Sequence, residues 1–291
     1  MCLQKKWDSK ELINEAIDLF KSHDIQKPRL NAELIMVHCM NKNRLELYSN
    51  YKKKLTRIEA NYFRNLVQRR LRNEPVQYIV GETEFMSLPF KVNRHVLIPR
   101  PETEILVEKV LNYVLENKKK DFRILDIGTG SGNIIVSLAK YAPGCRYFAS
   151  DISRPALDVA RENEQLNEIK GTINFINTRG FEGIKKRKYF HCIVSNPPYI
   201  KEKQVKKLQR EVCKYEPNLA LGSGEDGLNM LKYLIDNAYK YLRKNGMLAM
   251  EFGDGQCRSV RNYALKKGKY KDISIVKDLA GKDRIIMMRR K

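Results

Sequence analysis

Tryptophan occurs once in these 291 residues, histidine four times, proline ten and glycine sixteen. So little proline and glycine excludes collagen-like and low-complexity chains, and 42% hydrophobic against 31% charged residues describes a chain able to bury a core. No run approaches the roughly 18 to 20 uncharged apolar residues of a membrane span. Residues 1–10 are charged with no apolar stretch behind them, so the sequence predicts a cytoplasmic protein that needs no membrane. The six cysteines (Cys2, Cys39, Cys145, Cys192, Cys213, Cys257) form no C-x-x-C pair, which argues against a zinc site or a disulfide framework and for reduced thiols. His23, His38, His95 and His191 have no metal-ligand spacing, and no bound metal is expected. Acid is scarce beside base, 34 Asp and Glu against 56 Lys and Arg, a net charge of +22 that attracts acidic partners without naming one. The excess is spread in short runs such as Lys52-Lys53-Lys54, Lys118-Lys119-Lys120 and Lys185-Lys186-Arg187-Lys188, which read as solvated faces rather than a dedicated nucleic-acid arm.

A mass of 34.1 kDa is more than one ordinary core needs, so a medium domain with a smaller one is expected. Asp8 with Glu11, and Thr56 with Glu59, have the spacing of helix capping boxes. Apolar residues recur at helical intervals behind both, and a third run spans 30–40, which predicts a small helical bundle over 1–75. Pro75 disfavours helix at the residue before it, and 76–80 and 85–92 read as extended runs, giving a hairpin linker over 76–95. From 96 to 291 short apolar strands (123–127, 147–151, 173–177, 191–195, 247–252) alternate with helical stretches (134–140, 154–166, 228–242). That alternation predicts an α/β fold, a doubly wound and mainly parallel sheet with helices on both faces. The segments 273–277 and 284–288 lie too close together for an intervening helix and are expected to pair antiparallel at one edge.

Two motifs carry chemistry. Asp126-Ile127-Gly128-Thr129-Gly130-Ser131-Gly132 follows a strand and opens an apolar helix. Its glycines let the backbone turn sharply and approach a ligand, while the helix start offers free N–H groups. Asn133 stands where a dinucleotide loop would have a third glycine or alanine, which weighs against a nicotinamide or flavin. The spacing resembles instead the D-x-G-x-G-x-G loop of S-adenosylmethionine-dependent methyltransferases. Asp151 ends the next strand, where a carboxylate can accept both hydroxyls of a ribose; a plain strand-to-helix turn with Asp151 capping the next helix is the alternative.

The second motif, Asn196-Pro197-Pro198-Tyr199, also follows a strand, at the sheet edge where open α/β folds hold ligands. The lone pair of an amide or aromatic-amine nitrogen is delocalised. If the Asn196 side-chain oxygen and the Pro197 carbonyl each accept one N–H, that nitrogen is held toward a methyl donor, and Tyr199 can stack on the planar group. The alternative is an Asn-Pro turn with a surface tyrosine. Glu102 and Glu104 read as acids of a helix's first turn, and Glu251 as a pocket or a structural residue.

The chain resembles the HemK/PrmC methyltransferases along an ordered series of motifs: Glu74-Pro75-Val76-Gln77-Tyr78-Ile79, Val96-Leu97-Ile98-Pro99-Arg100-Pro101-Glu102-Thr103-Glu104, the glycine loop, residues 195–200, Tyr215-Glu216-Pro217, Asp226-Gly227-Leu228 and residues 278–284. The resemblance implies a class I S-adenosylmethionine-dependent methyltransferase domain with an amino-terminal helical domain that recognises the substrate. It implies methylation of a glutamine side-chain amide, in the GGQ motif of peptide chain release factors, with no requirement for nucleic acid. The protein partner so implied is a release factor, free or ribosome-associated. Cofactor contacts are expected from Asp126, Gly128, Thr129, Gly130, Ser131, Gly132, Asp151, Asn196 and, by the aromatic that relatives place beside adenine, Phe181. Substrate contacts are expected from Asn196, Pro197, Pro198 and Tyr199, with Asn196, Pro197 and Tyr199 catalytic. An adenine amino methyltransferase on DNA or RNA, a glutamine methyltransferase of a ribosomal protein, and a basic RNA-binding protein without catalysis stay open.

Overall fold

The computed structural model describes residues 7–49, 51–117 and 121–291. Cys2 and the run Lys118-Lys119-Lys120 lie outside them. Two compact units separate: one runs up to Gly81 and takes in Gln209–Tyr215, the other comprises Glu82–Leu208 and Glu216–Lys291. No helix among the described residues is long and apolar enough to cross a membrane.

The first unit is helical. Asp8 caps the helix Ser9–Ser22 and Thr56 caps Arg57–Leu71, each through the reciprocal hydrogen bonds of a capping box with Glu11 and Glu59. Pro28–Met40 lies among them, and Leu12, Ile13, Phe20, Ile35, Met36, Phe63 and Leu66 bury one another. Val76–Val80 is a helix, not the strand expected from its apolar run, closed by Gly81 with φ +83°. Val76 and Ile79 join the same core. Three residues apart, they would point to opposite faces of a strand but share one face of a helix. Burial therefore decides against the local β preference. The hairpin shrinks accordingly, to Glu82–Phe85 paired with Leu88–Lys91. Arg70 and the segment Gln209–Tyr215 belong to the first unit together: the buried Arg70 guanidinium donates to Glu211 (2.6 Å) and to Asn31 (2.7 Å).

The second unit is built on a seven-stranded sheet. Its strands are β1 (Arg123–Ile127), β2 (Arg146–Asp151), β3 (Ile173–Asn177), β4 (Phe190–Ser195), β5 (Leu242–Glu251), β6 (Tyr270–Lys277) and β7 (Asp283–Arg290), in the order β6-β7-β5-β4-β1-β2-β3. β1 to β5 are parallel, whereas β7 runs antiparallel to both β5 and β6, the expected edge hairpin. Two cores cover the two faces, one around Leu106, Val110, Ile135 and Leu138, the other around Leu125, Leu231, Leu234 and Phe252. The chain winds outward from β1 to β2 and β3, then returns to begin β4 on the other side of β1. The carboxyl ends of β1 and β4 thus meet at the point where the strand order reverses, the place where such sheets bind ligands.

The hairpin is held against this unit by side chains of the sheet's helices. Its two-residue turn, Met86-Ser87, has positive φ at both positions without a glycine. Glu104 accepts the Met86 N–H (2.6 Å) and the Tyr141 hydroxyl donates to the Met86 carbonyl (2.6 Å). Asn163 accepts from Lys91 N–H and donates to the carbonyls of Lys91 and Ser131, joining hairpin to glycine loop.

Candidate active site

A cavity of ≈ 270 Å³ opens at the switch point, lined by the exits of β1, β2, β3 and β4. After β1 the glycine loop folds back over β2: the N–H groups of Gly128 and Thr129 donate to the Ser150 carbonyl (2.8 and 3.0 Å), and Gly130 N–H donates to Asp151 Oδ2 (2.9 Å). Gly132, at φ +79°, starts the helix Asn133–Tyr141, and a Cβ there would stand 3.0 Å from that of Ala160. The third glycine therefore lets two helices approach, apart from any contact with ligand. Ser195, the last residue of β4, donates its hydroxyl to the Ile127 carbonyl (2.6 Å), so both motifs leave a shared, fastened edge.

The acids of this edge are held unlike surface carboxylates. Asp126 is fully buried; Oδ2 accepts the Thr129 hydroxyl (2.7 Å), and Oδ1 has no hydrogen-bond partner among the described residues. Burial, eased by Thr129 and reinforced by the charge of Asp151, pushes its pKa up to about 7. Burial also raises that of Asp151, against N–H donors from Ser153 and Gly130. Ser153, not Asp151, caps the helix Arg154–Leu166 through its hydroxyl, so helix capping does not account for Asp151.

The proline corner is fixed by a buried chain of side chains. Asn196 Nδ2 donates to Thr103 Oγ1 (3.0 Å), Thr103 donates to Glu251 Oε2 (2.7 Å), and the Tyr199 hydroxyl donates to Glu251 Oε1 (3.0 Å). Burial raises the Glu251 pKa, opposed by those two hydroxyls and by the charge of Arg284. Gln256 donates to the Tyr199 carbonyl and accepts from Gly253 N–H, both at 2.8 Å. Two glycines make room for this packing. A Cβ on Gly253 would sit 3.0 Å from the Tyr199 ring, and one on Gly227, at φ +74°, would run into the Tyr199 carbonyl.

Of the residues expected from sequence, Gly128, Thr129, Gly130, Ser131, Asp151, Asn196 and Pro198 line the cavity. Asp126 lies beneath the loop and Gly132 between helices. Pro197 is buried at the corner, and Tyr199 turns its hydroxyl to Glu251 instead of facing the cavity. Phe181 is not among the lining residues: its ring stacks on Tyr241 (4.5 Å between centroids) in the core, while Thr178, Arg179 and Gly180 line the wall beside it. Thr103 also lines the cavity, a role the sequence reading does not assign it. The sequence does carry a sign of it: Thr103, Leu106, Val107 and Val110 form one inward stripe of the helix Pro101–Asn117, in which a polar residue needs a buried partner.

The PrmC N-terminal domain family matches residues 11–81, and the methyltransferase small domain family matches 103–225. A release factor glutamine methyltransferase of Thermodesulfovibrio yellowstonii is 43% identical over 259 residues, 89% of this chain and 91% of that protein. The chain belongs to the release factor glutamine methyltransferase family. A second member, from Rhodopirellula baltica, is 35% identical over 286 residues, 98% of this chain and 97% of its own. The hMettl16 catalytic domain, solved in complex with a 3′UTR hairpin, superposes with a TM-score of 0.55 over 69% of this chain and 75% of that one; at 15% identity the likeness is one of fold. The sheet is thus of the class I methyltransferase type, and the family's chemistry is methyl transfer.

Proposed function

We propose that the chain transfers a methyl group from S-adenosylmethionine to the side-chain amide nitrogen of a glutamine, in the GGQ motif of a peptide chain release factor. The residues suit that donor. The glycine loop presents backbone at the cavity, Asp151 lies where it can accept two hydroxyls, and the orphaned Asp126 Oδ1 beneath the floor favours a nearby cation. When bound, S-adenosylmethionine supplies an electrophilic methyl on a positively charged sulfur.

The observation that carries the acceptor half of this reading is the direction of the Asn196 amide. Its Nδ2 is engaged by Thr103, which leaves Oδ1 as the acceptor for a substrate N–H. The Pro197 carbonyl, one bond from the cavity-lining Pro198 ring, serves as the second acceptor. Two fixed acceptors orient a planar amide with its nitrogen lone pair toward the methyl, and such orientation contributes on the order of 7 to 11 kcal/mol in favourable cases. Transfer of that methyl from sulfur to the amide nitrogen would make the nitrogen's proton acidic, and the proton would pass to water.

The test is incubation of the protein with methyl-labelled S-adenosylmethionine and, separately, a release factor free or ribosome-bound, a ribosomal protein fraction, DNA and RNA, followed by mapping. Label on the glutamine of the release factor is expected. Label on adenine, or on a ribosomal protein alone, overturns the assignment.

A further inference from the structure

An asparagine side chain has nearly the same outline whichever way its amide is turned, so shape alone does not decide whether its oxygen or its NH₂ faces a ligand. Here the decision lies two residues away. We propose that Thr103 and Glu251 are positioning residues, a buried polarity relay that holds the Asn196 oxygen toward the cavity. The inference rests on the reading of Asn196 as acceptor for the substrate's N–H, and adds what sets that residue's sense.

The relay starts at Glu251. Burial works against its charge, but the Thr103 and Tyr199 hydroxyls and the Arg284 charge favour the carboxylate. That carboxylate offers no donor, so the single hydroxyl proton of Thr103 goes to Oε2 and that of Tyr199 to Oε1. With its proton spent, Thr103 Oγ1 is an acceptor toward Asn196, which must answer with Nδ2–H. Thr103 and Glu251 are each 1% exposed, so water does not compete for these positions. Without the relay the Asn196 amide is free to present NH₂ to the cavity. There it would meet the substrate's own N–H, donor against donor. The members come from three distant places in the chain, the helix Pro101–Asn117, the end of β5 and the corner after β4, which only the fold brings together.

The test compares Thr103→Val, which keeps the shape and deletes the hydroxyl, with Thr103→Ser, which restores it, in the full chain. Thr103→Val is expected to lower kcat about 10- to 100-fold, with S-adenosylmethionine affinity by calorimetry and the release factor's KM within about twofold of wild type. Thr103→Ser is expected to recover most of that loss. A second readout needs no turnover. In protein labelled with ¹⁵N-asparagine, the Asn196 side-chain NH₂ pair, assigned by its absence in Asn196→Asp, should exchange slowly with water in wild type and in Thr103→Ser but fast in Thr103→Val. Glu251→Gln, which can donate toward Thr103, should speed that exchange as well. Turnover of Thr103→Val within about twofold of wild type overturns the relay, as does a serine variant no better than valine, or exchange equally fast in wild type. If wild type leaves the release factor unlabelled, the function proposed above fails, while the exchange measurement still decides whether the relay exists.

Discussion

The glycine turn after Asp126 and the proline corner after Ser195 leave neighbouring strands at one sheet edge, fastened by the Ser195 hydroxyl, and are built in opposite ways. The first relies on backbone: its glycines take positive φ, and its own N–H groups tie it to Ser150 and Asp151. The second relies on side chains. Its prolines cannot donate, and Asn196 and Tyr199 are placed through Thr103 and Glu251. A turn built from backbone suits a ligand held by its general shape, whereas a corner set by hydrogen-bond direction suits one reacting nitrogen. Damage to the first should therefore show in donor binding and stability, and damage to the second in turnover.

Asn196→Ala puts the largest strain on this contrast. It should cut turnover by about 10² to 10³-fold while calorimetry finds donor affinity nearly unchanged, because the lost acceptor acts chiefly in reaching the transition state. A matching loss of affinity would erase the distinction between the turns. In the glycine turn, Gly132→Ala combines a left-handed backbone with a Cβ against Ala160, and urea unfolding should show a loss of about 2–4 kcal/mol. Asp151→Ala should weaken donor binding by roughly 10- to 100-fold in the same calorimeter, the scale of hydrogen bonds to a charged group, with kcat at saturation little altered. The last prediction is read in pH and concerns Asp126. Its folded pKa of about 7 lies above the ordinary 3.8, so the fold prefers the neutral acid, and that contribution to stability, present at low pH, is lost as pH rises through about 7. Melting of the unliganded protein should fall across that window, and Asp126→Asn should flatten the fall. A cationic ligand favours the carboxylate, so its binding should tighten over the same range.

Much of this architecture was legible in the sequence where the signal is local. The capping boxes at Asp8 and Thr56, the strands leading to Asp126 and Ser195, and the antiparallel pair near the end all depend on neighbours in the chain, and each stands where its pattern put it. What escaped depends on distant residues. Val76–Val80 reads as a strand until the core that takes Val76 and Ile79 is known. The helix Cys257–Lys267 buries only Val260 and Ala264, too thin a stripe to stand out. Gln209–Tyr215 joins the helical unit through Glu211 and a buried Arg70 some 141 positions earlier, a pairing without trace in local pattern. The family resemblance puts Phe181 beside the cofactor, but the stacking of its ring on Tyr241 depends on a residue 60 positions away and has no local sign in the sequence.

The packing around Tyr199 bears on how far four residues can travel alone. Grafted onto the end of another parallel strand, Asn-Pro-Pro-Tyr would arrive without the bare backbone at Gly227 and Gly253, the Gln256 clasp, or a threonine and a glutamate waiting beneath it. Such a transplant should fold as a turn and methylate nothing. The unit of inheritance here is the whole ring of neighbours, and a search of other sheets for this chemistry does better to look for that ring than for the tetrapeptide.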